Sequence, residues 1–292
     1  MSKTKKAVII GSVLVGIGVI IGFIGIAIGG FKFPNGAVDL TTMKALHAEK
    51  KTVQIADAFD KIEIAGASSM DIEICKSKTG KNYVEYYDTD DWTSRVDVKD
   101  RVLKFTTDDK GKHKAIVSLG FGKDTAARLY LADAEYKEIS VTTLSGYVTI
   151  QDVNAETVNV SASSGDLYMK NINAPDSIMA TSSSGDIDLE NATAKQIELG
   201  ANSGDIEMQD ITAESLRMST SSGDIDLESC DAEKFDITTS SGDVDMEITA
   251  GRTYRFETKT NSGAVDVPDG DADSDYLCKI VTSSGDVDVK QK

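Results

Sequence analysis

Aspartates that recur at a nearly constant spacing are the residues in this sequence whose type and position suggest chemistry. Asp186, Asp205, Asp224 and Asp243 each follow a Ser-Gly pair, and a second acidic residue, such as Asp226, stands two places further on. Stacked carboxylates repel one another, so hydrogen bonds or a bound cation must offset the repulsion. A hard cation such as Ca²⁺ prefers oxygen ligands, which makes the four recurring aspartates candidate calcium ligands.

Two interpretations of these aspartates stay open. In the first, Ser and Asp side chains satisfy exposed backbone N–H groups at tight corners, and the acidic residues are solvated surface. In the second, the carboxylates hold calcium. The Gly-Gly-x-Gly-x-Asp nonapeptide of calcium-binding solenoids is missing from the chain, and we therefore favour the first interpretation.

Other signals of catalysis or cofactor binding are weak. His47 and His113 are the only histidines, and neither has a metal-ligand partner at helical or strand spacing. The serines recur identically in every repeat, whereas a catalytic serine needs one special place. β-Helix enzymes that cleave acidic polysaccharides need clustered basic residues to bind their substrate, and the repeats have few. We therefore predict no catalytic residue, no cofactor and no enzymatic activity.

The elements that position the aspartates repeat with the same spacing. The phrase Ser-Ser-Gly-Asp and its variants place glycines in steps of 19 to 22 residues. A fixed period of this size indicates one supersecondary unit per repeat, stacked on its neighbours. The glycines of the expected corners are Gly146, Gly165, Gly185, Gly204, Gly223, Gly242, Gly263 and Gly285.

The spacing of apolar residues inside each repeat predicts short β-strands. Ile206 and Met208 are two residues apart, as in the other repeats, and the spacing becomes three between groups. Two is the strand period, and the change of phase indicates a corner. We predict an all-β fold, a parallel β-solenoid of 19–22-residue coils with Ser-Gly-Asp corners, in which Ile206, Leu227 and Ile237 point inward. A β-sandwich is the alternative, but its hairpins would not need the same glycine in every turn.

The charge is unevenly distributed along the chain. Residues 141–292 carry 10 Lys or Arg against 29 Asp or Glu, a net charge of −19, whereas residues 1–140 have a net charge of +2. An acidic surface repels nucleic acid, so we exclude that class of partner. Cys75, Cys230 and Cys278 form no disulfide framework and no CxxC pair.

The start of the chain predicts a membrane anchor. Residues 7–31 are a run of 25 without a charge or a proline, enough to span a hydrocarbon core of roughly 30 Å as a helix. Three lysines precede it, which predicts a single-pass protein of the cell membrane with a cytoplasmic N-terminus and an extracellular domain. Cleavage of the span as a signal peptide is the alternative.

The remaining divisions follow from composition. We expect a cytoplasmic stub (1–6), a transmembrane signal-anchor helix (7–31), a stalk (32–52), an irregular β capping section (53–140) and the solenoid repeats (141–292). End caps are needed because a bare coil presents unpaired backbone groups. The repeat that contains Val287 and Val289 is expected to be the last coil, with lysines after it to discourage edge pairing.

Small residues on the predicted membrane helix form a second pattern. Glycines with a spacing of four would lie on one face and let two such helices approach closely, which would give a homodimer. Glycine is also common in membrane helices that do not pair. The residues of this expected helix-packing face are Gly11, Gly18, Gly22, Gly25 and Gly29.

Several segments together resemble the putative-adhesin family of bacterial envelope proteins, which includes Lia-type envelope-stress proteins of Gram-positive bacteria. The matching features are Phe59–Ile64, Asp71–Ile74, Arg128–Leu131 and the Ser-Gly-Asp repeats, and the resemblance covers roughly residues 55–292. It implies a β-repeat fold and a surface-exposed domain, in some members tied to sensing envelope damage. It implies no catalytic residues.

We therefore expect a membrane-anchored, extracellular β-solenoid that acts as a non-catalytic, adhesin-like interaction module. Its partner would be a protein or another component of the cell envelope. The alternative is an envelope-stress sensor or regulator. That function would need a partner protein in the membrane, because only six residues precede the predicted helix.

Overall fold

The computed structural model describes residues 32–33, 36–37, 49–88, 92–109, 126–249 and 251–292. The expected membrane helix, with its glycine face, lies outside these residues. Within them the secondary structure is β-strand without helix, and accordingly no helix there is long and apolar enough to cross a membrane. The all-β solenoid predicted from the repeats is confirmed.

The strands follow the chain in short and long segments, and the long ones bend around a corner of the solenoid. They are β1 Lys32–Phe33, β2 Gly36–Ala37, β3 Glu49–Gln54, β4 Lys61–Ser69, β5 Ile72–Lys76, β6 Tyr83–Asp88, β7 Trp92–Lys99, β8 Val102–Asp109, β9 Ala127–Leu131, β10 Glu135–Ser145, β11 Val148–Ser164, β12 Leu167–Ser182, β13 Ile187–Ala201, β14 Ile206–Ser219, β15 Ile225–Thr238, β16 Val244–Ile248, β17 Arg255–Lys259, β18 Val265–Asp266, β19 Leu277–Val281 and β20 Val287–Gln291. β1 and β2 form a separate two-stranded antiparallel sheet.

Strands β10 to β15 stack in chain order, each parallel to the next and one repeat further along the sequence. Their alternating side chains fill the interior, as the spacing of two requires. Ile206 and Ile237 are 0% exposed and Leu227 is 4% exposed. The inward phase assigned from the sequence is therefore confirmed.

A second corner bends each long strand without a glycine. The residue at this corner has a positive φ of 51–57°, a conformation that Asn and Asp tolerate better than other side chains. The amide of Asn191 donates to Asn171 Oδ1 at 2.7 Å, and the amide of Asn171 donates to Asp152 Oδ1 at 2.6 Å. The corner residues are Asp152, Asn171, Asn191, Asp210 and Ser229.

The coils before β10 do not stack in chain order. β4 pairs in parallel with β10 on one side and with β8 on the other, and β5 lies in the same way between β11 and β9. Strands β7 and β6 then run antiparallel to β8 and β9, and β3 pairs with β6. The section expected to be a cap thus contributes parallel coils as well as antiparallel strands.

Stacking order also departs from chain order after β15. β19 lies between β15 and β17, and β20 lies between β16 and β18. The repeat with Val287 and Val289 was expected to be the last coil, and that expectation is wrong. Residues 255–266 pair only with this repeat among the described residues, so they form the outer edge.

Aromatic side chains close the core beside this outer edge. Tyr254 is 1% exposed, and its hydroxyl donates to the Ala232 carbonyl oxygen at 2.7 Å. Its ring meets Phe235 at 5.7 Å, Phe256 at 6.1 Å and Tyr276 at 6.0 Å between centroids. These rings supply a cap of large apolar area where the regular coils end.

Candidate interaction surface

The recurring aspartates form a hydrogen-bonded ladder along the Ser-Gly-Asp corner. In each coil the carboxylate accepts the backbone N–H of the equivalent residue in the next coil. The Asp205 N–H donates to Asp186 Oδ1 at 2.9 Å, and the Asp224 N–H donates to Asp205 Oδ1 at 2.8 Å. Further along the ladder, the Asp243 N–H donates to Asp224 Oδ1 at 2.8 Å and the Asp286 N–H donates to Asp243 Oδ1 at 2.8 Å. The last donor is the Ala264 N–H, at 2.7 Å from Asp286 Oδ1. Hydrogen bonds of this kind, with a charged acceptor, offset the repulsion between stacked carboxylates.

The corner glycines are required by close approach of the backbones. A Cβ added at any of seven corner glycines would lie 1.9–2.3 Å from the carbonyl oxygen of the adjacent corner glycine, too close for a side chain; they are Gly165, Gly185, Gly204, Gly223, Gly242, Gly263 and Gly285. Inward hydroxyls complete the corner, as where Thr220 Oγ1 donates to the Gly204 carbonyl oxygen at 3.1 Å. Gly146 differs because its φ of 113° itself favours glycine. The predicted corner positions therefore lie in one stacked column.

The ladder geometry bears on the calcium interpretation. Each ladder aspartate from Asp186 to Asp243 uses one carboxylate oxygen to accept an N–H group. Within the described residues, no group of three or more His, Cys, Asp or Glu side chains is arranged to hold a metal ion. Calcium binding at Asp186, Asp205, Asp224 and Asp243 stays a prediction.

A different set of acidic residues defines what we call the acidic face, on the strand segments that follow the corners. The pairing register places equivalent residues of successive coils side by side. Neighbouring parallel strands are about 4.8 Å apart, so carboxylates face one another at that spacing along the row Asp188, Glu207, Asp226, Asp245 and Asp288. The residues of the acidic face are Asp188, Glu190, Glu207, Asp226, Glu228, Asp245, Glu247 and Asp288.

The acidic face lines an open groove of about 480 Å³. Positive side chains stand at its two ends: Lys170 pairs with Glu190 at one, and Lys290 pairs with Asp288 at 3.1 Å at the other. Lys292 pairs with Glu247 beside the second end. Between these ends the groove is acidic.

The centre of the groove is not neutralised by the protein. Of the Lys and Arg side chains that the structure describes, none forms an ion pair with Glu207, Asp226, Glu228 or Asp245. Two such carboxylates about 5 Å apart repel by roughly 1 kcal/mol even in a water-like dielectric. The centre of the groove is therefore where a cationic partner would relieve the most repulsion.

Carboxyl groups with a raised pKa lie where the groove's carboxylates neighbour one another, and one with a lowered pKa lies at the Lys170 end. Partial burial, followed by the carboxylates of Asp245 and Glu207, raises the pKa of Asp226 above its ordinary value of 3.8. Partial burial and the Glu207 carboxylate likewise raise the pKa of Asp188. At the Lys170 end, the hydrogen bond from that lysine lowers the pKa of Glu190.

This arrangement can bind cations but offers no unique reactive group. The groove is lined by acidic side chains, Gln209, Tyr168, Lys290 and the edges of core residues. Equivalent carboxylates recur in successive coils, so a ligand would meet a row of similar positions rather than one centre. His47 and His113 lie outside the described residues. A row of repeated charges fits an extended, multiply charged partner.

Sequence reasoning missed the distinction between the two acidic sets. The favoured interpretation did assign corner Asp side chains to exposed N–H groups, as observed, but it did not separate them from the strand residues, whose side chains accept no such N–H. A signal was present in the repeat itself: strand N–H groups pair with the neighbouring coil, whereas a corner leaves N–H groups without such partners. Only corner carboxylates can therefore find a free N–H nearby.

Comparison with known proteins places the chain among β-repeat proteins. The family described as Toastrack DUF4097 matches residues 59–290. A putative adhesin of Bacteroides fragilis is similar in structure, with 18% identity and a TM-score of 0.51 over 84% of this chain and 97% of that one. A putative lipid-binding protein of Parabacteroides distasonis also has 18% identity and a TM-score of 0.51, over 83% and 96% of the two chains. No curated protein matches the sequence.

Proposed function

We propose that the chain, which belongs to the Toastrack DUF4097 family, is a non-catalytic interaction module whose acidic face binds a cationic partner at the bacterial cell envelope. The observation that carries this proposal is the un-neutralised centre of the groove around Glu207, Asp226 and Asp245. Charge complementarity of this kind favours association and selects partners by sign. A basic protein segment is the class of partner that fits best.

The similar structures support an interaction role rather than a lipid-carrier role. One of them is called a putative adhesin, which agrees with binding through the outer surface. Another is called a lipid-binding protein, but the cavity between Ile62, Val84 and Leu103 in this core holds about 10 Å³. That volume admits about one water molecule and no acyl chain. Anionic headgroups would be repelled by the acidic face.

Binding of a labelled decalysine peptide to the full chain tests the proposed face. The groove variant combines Glu207→Gln, Asp226→Asn and Asp245→Asn. Loss of three charges from the groove should weaken binding about tenfold, equivalent to about 1.4 kcal/mol. The control variant removes the same number of charges from exposed positions that do not line the groove: Glu156→Gln, Glu214→Gln and Glu233→Gln. The control should change the affinity by about twofold or less, because these side chains would not contact a peptide bound in the groove. Equal losses in the two variants would show that only the net charge matters and would refute a specific face.

Membrane anchoring and an extracellular location belong to the same proposal and rest on the uncharged span 7–31. Protease added to intact protoplasts should remove the domain after Lys32, whereas a protected domain would contradict the location. Crosslinking in intact cells then identifies the partner. A soluble or wall-associated basic protein, lost with the groove variant, would support the interaction module. An integral membrane protein retained by that variant would favour the envelope-stress regulator instead.

A further inference from the structure

The repeat of residues 277–291, which we call the inserted repeat, lies between two coils that precede it in the chain. On one side it pairs with β15 and β16, and on the other with β17 and β18. Residues 255–266 therefore have no pairing with the coil that they follow in sequence, although only residues 249–254 separate them from β16. Their place in the stack depends on the inserted repeat.

The two coils around the inserted repeat share its columns of side chains. Cys278 stands between Phe235 and Phe256, and Val287 stands between Val244 and Val265. At the corner, a Cβ on Gly285 would meet the Gly242 carbonyl oxygen, and one on Gly263 would meet the Gly285 carbonyl oxygen. Residues 255–266 thus have the register to rest directly on β15 and β16 when the inserted repeat is withdrawn.

This shared register lowers the cost of withdrawing the inserted repeat. The apolar surface of β15 and β16 would be covered again by Phe256 and Val265 instead of being left in water. The inserted repeat would lose its own buried contacts, since Cys278 and Ile280 are both 0% exposed in the stack. It must make equivalent contacts elsewhere. An identical segment from another molecule offers the same contacts in the same register.

We propose that the inserted repeat is an exchangeable element, and that a second copy of this chain supplies it in trans to form a reciprocally exchanged dimer. The slot between β15–β16 and β17–β18 selects this occupant through two features. Its apolar columns require the alternation found in Cys278, Ile280, Val287 and Val289. Its aspartate ladder requires a residue like Asp286, whose N–H donates to Asp243 and whose carboxylate accepts from the Ala264 N–H.

The segment that joins the inserted repeat to the outer edge fits an exchange. Residues 267–276 contain no strand, and Pro268 and Gly270 interrupt regular pairing. Part of this segment is fixed to the outer edge, since the Asp271 N–H donates to the Tyr254 carbonyl oxygen at 3.0 Å. The inserted repeat can therefore change partners while Tyr254 keeps its hydrogen bonds with Asp271 and Ala232.

Disulfide trapping between differently tagged full-length chains tests the exchange. Asp236 and Lys279 are register partners across β15 and β19, at a strand spacing that falls within the Cα separation of disulfides. One chain carries Asp236→Cys and the other Lys279→Cys, both with Cys75→Ser to remove the half-buried native thiol. The chains are mixed, incubated without denaturant and oxidised.

A matched pair within the regular stack serves as the control. Asp188 and Glu207 are register partners across β13 and β14, and exchange at that level would require half of the solenoid to move. We expect a covalent dimer from the 236/279 mixture and none from the 188/207 mixture. For each pair, a chain that carries both cysteines should oxidise to a monomer, which shows that the geometry permits the bond.

Two results would overturn the proposal. The first is a 236/279 mixture that yields no covalent dimer although the doubly substituted chain oxidises fully, because the inserted repeat would then stay in its own chain. The second is an equal yield of dimer from the two mixtures, because trapping would then reflect random collision or global unfolding.

Discussion

Ala264 ends the aspartate ladder, and replacing it tests the stacking order of the last coils. Each ladder aspartate from Asp186 to Asp286 donates its N–H to the aspartate of one neighbouring coil and accepts an N–H from the other neighbouring coil. Ala264 only donates, to Asp286 Oδ1 at 2.7 Å. Since no further coil lies beyond it among the described residues, a carboxylate at this position would have no N–H to accept.

The substitution Ala264→Asp should therefore destabilise the domain. The introduced charge would lie about 5 Å from the Asp286 carboxylate and would cost roughly 1 kcal/mol at low ionic strength. For a domain of this size that corresponds to a fall of about 2–4 °C in Tm. Salt at about 1 M should remove most of the effect, because the screening length is then about 3 Å. Ala264→Asn, which adds the same volume without the charge, should leave Tm nearly unchanged.

Stacking in chain order predicts the opposite sign. If residues 255–266 lay between the other two coils, the introduced carboxylate would accept the Asp286 N–H. A hydrogen bond to a charged group contributes about 1.5–3 kcal/mol, so Tm would rise. Thermal unfolding of the wild-type domain and the two variants at low and high salt separates these outcomes. A rise in Tm with Ala264→Asp would refute the stacking order described above.

Four further predictions test other parts of the structure. Asp224→Ala removes an N–H acceptor and should lower the free energy of unfolding by about 1.5–3 kcal/mol in denaturant unfolding, whereas Asp224→Asn keeps an acceptor and should lower it little. Equal losses of stability in the two variants would show that the charge itself is needed, as in a calcium site. Gly223→Ala would place a Cβ 2.1 Å from a carbonyl oxygen and should lower the free energy of unfolding by about 1–3 kcal/mol or more. In the control, Gly200→Ala, the nearest atom would be 3.6 Å from the Cβ, and the free energy of unfolding should change by less than about 1 kcal/mol. Folding raises the pKa of Asp226, so the folded state binds a proton more readily than the unfolded state. The contribution of Asp226 to stability should therefore increase as the pH falls from neutral toward 3.8 and be lost as the pH rises. Asp226→Asn should flatten that part of the pH profile of Tm. Ile206→Ala should cost about 2–5 kcal/mol because the side chain is 0% exposed, and a cost near zero would contradict its inward position.

The core and the corners could be predicted from sequence because their causes are local. A spacing of two places Ile206 and Ile237 on the inner face of any strand, whatever its neighbours. The corner glycines were also predictable, because they recur with the repeat period. From Gly165 to Gly242 it is close approach between adjacent coils, not a positive φ, that excludes a side chain.

The stacking order could not be predicted from the repeat period, because every repeat fits every other one in register. Phe256 and Cys278 are equally suited to lie on Phe235. The stacking order is instead set by residues outside the repeat pattern. The ring of Tyr254 closes the core, and Ala264 lacks the carboxylate that would accept an N–H from a further coil. Ala264, which stands where the other repeats have Asp, is thus the sequence signal for the outer coil.

The two acidic sets differ in whether the backbone compensates their charge. Asp224 stands at a corner, where the N–H of Asp243 has no strand partner and donates to the carboxylate. Asp226, two residues later, stands in a strand and is aligned with Asp245, so its side chain meets another carboxylate instead of a free N–H. The protein thus compensates the corner charges from within its own backbone and leaves the strand charges to solvent or a partner. The net charge of residues 141–292 therefore includes corner carboxylates that the backbone compensates, whereas Glu207, Asp226 and Asp245 line the groove that we propose as the binding face.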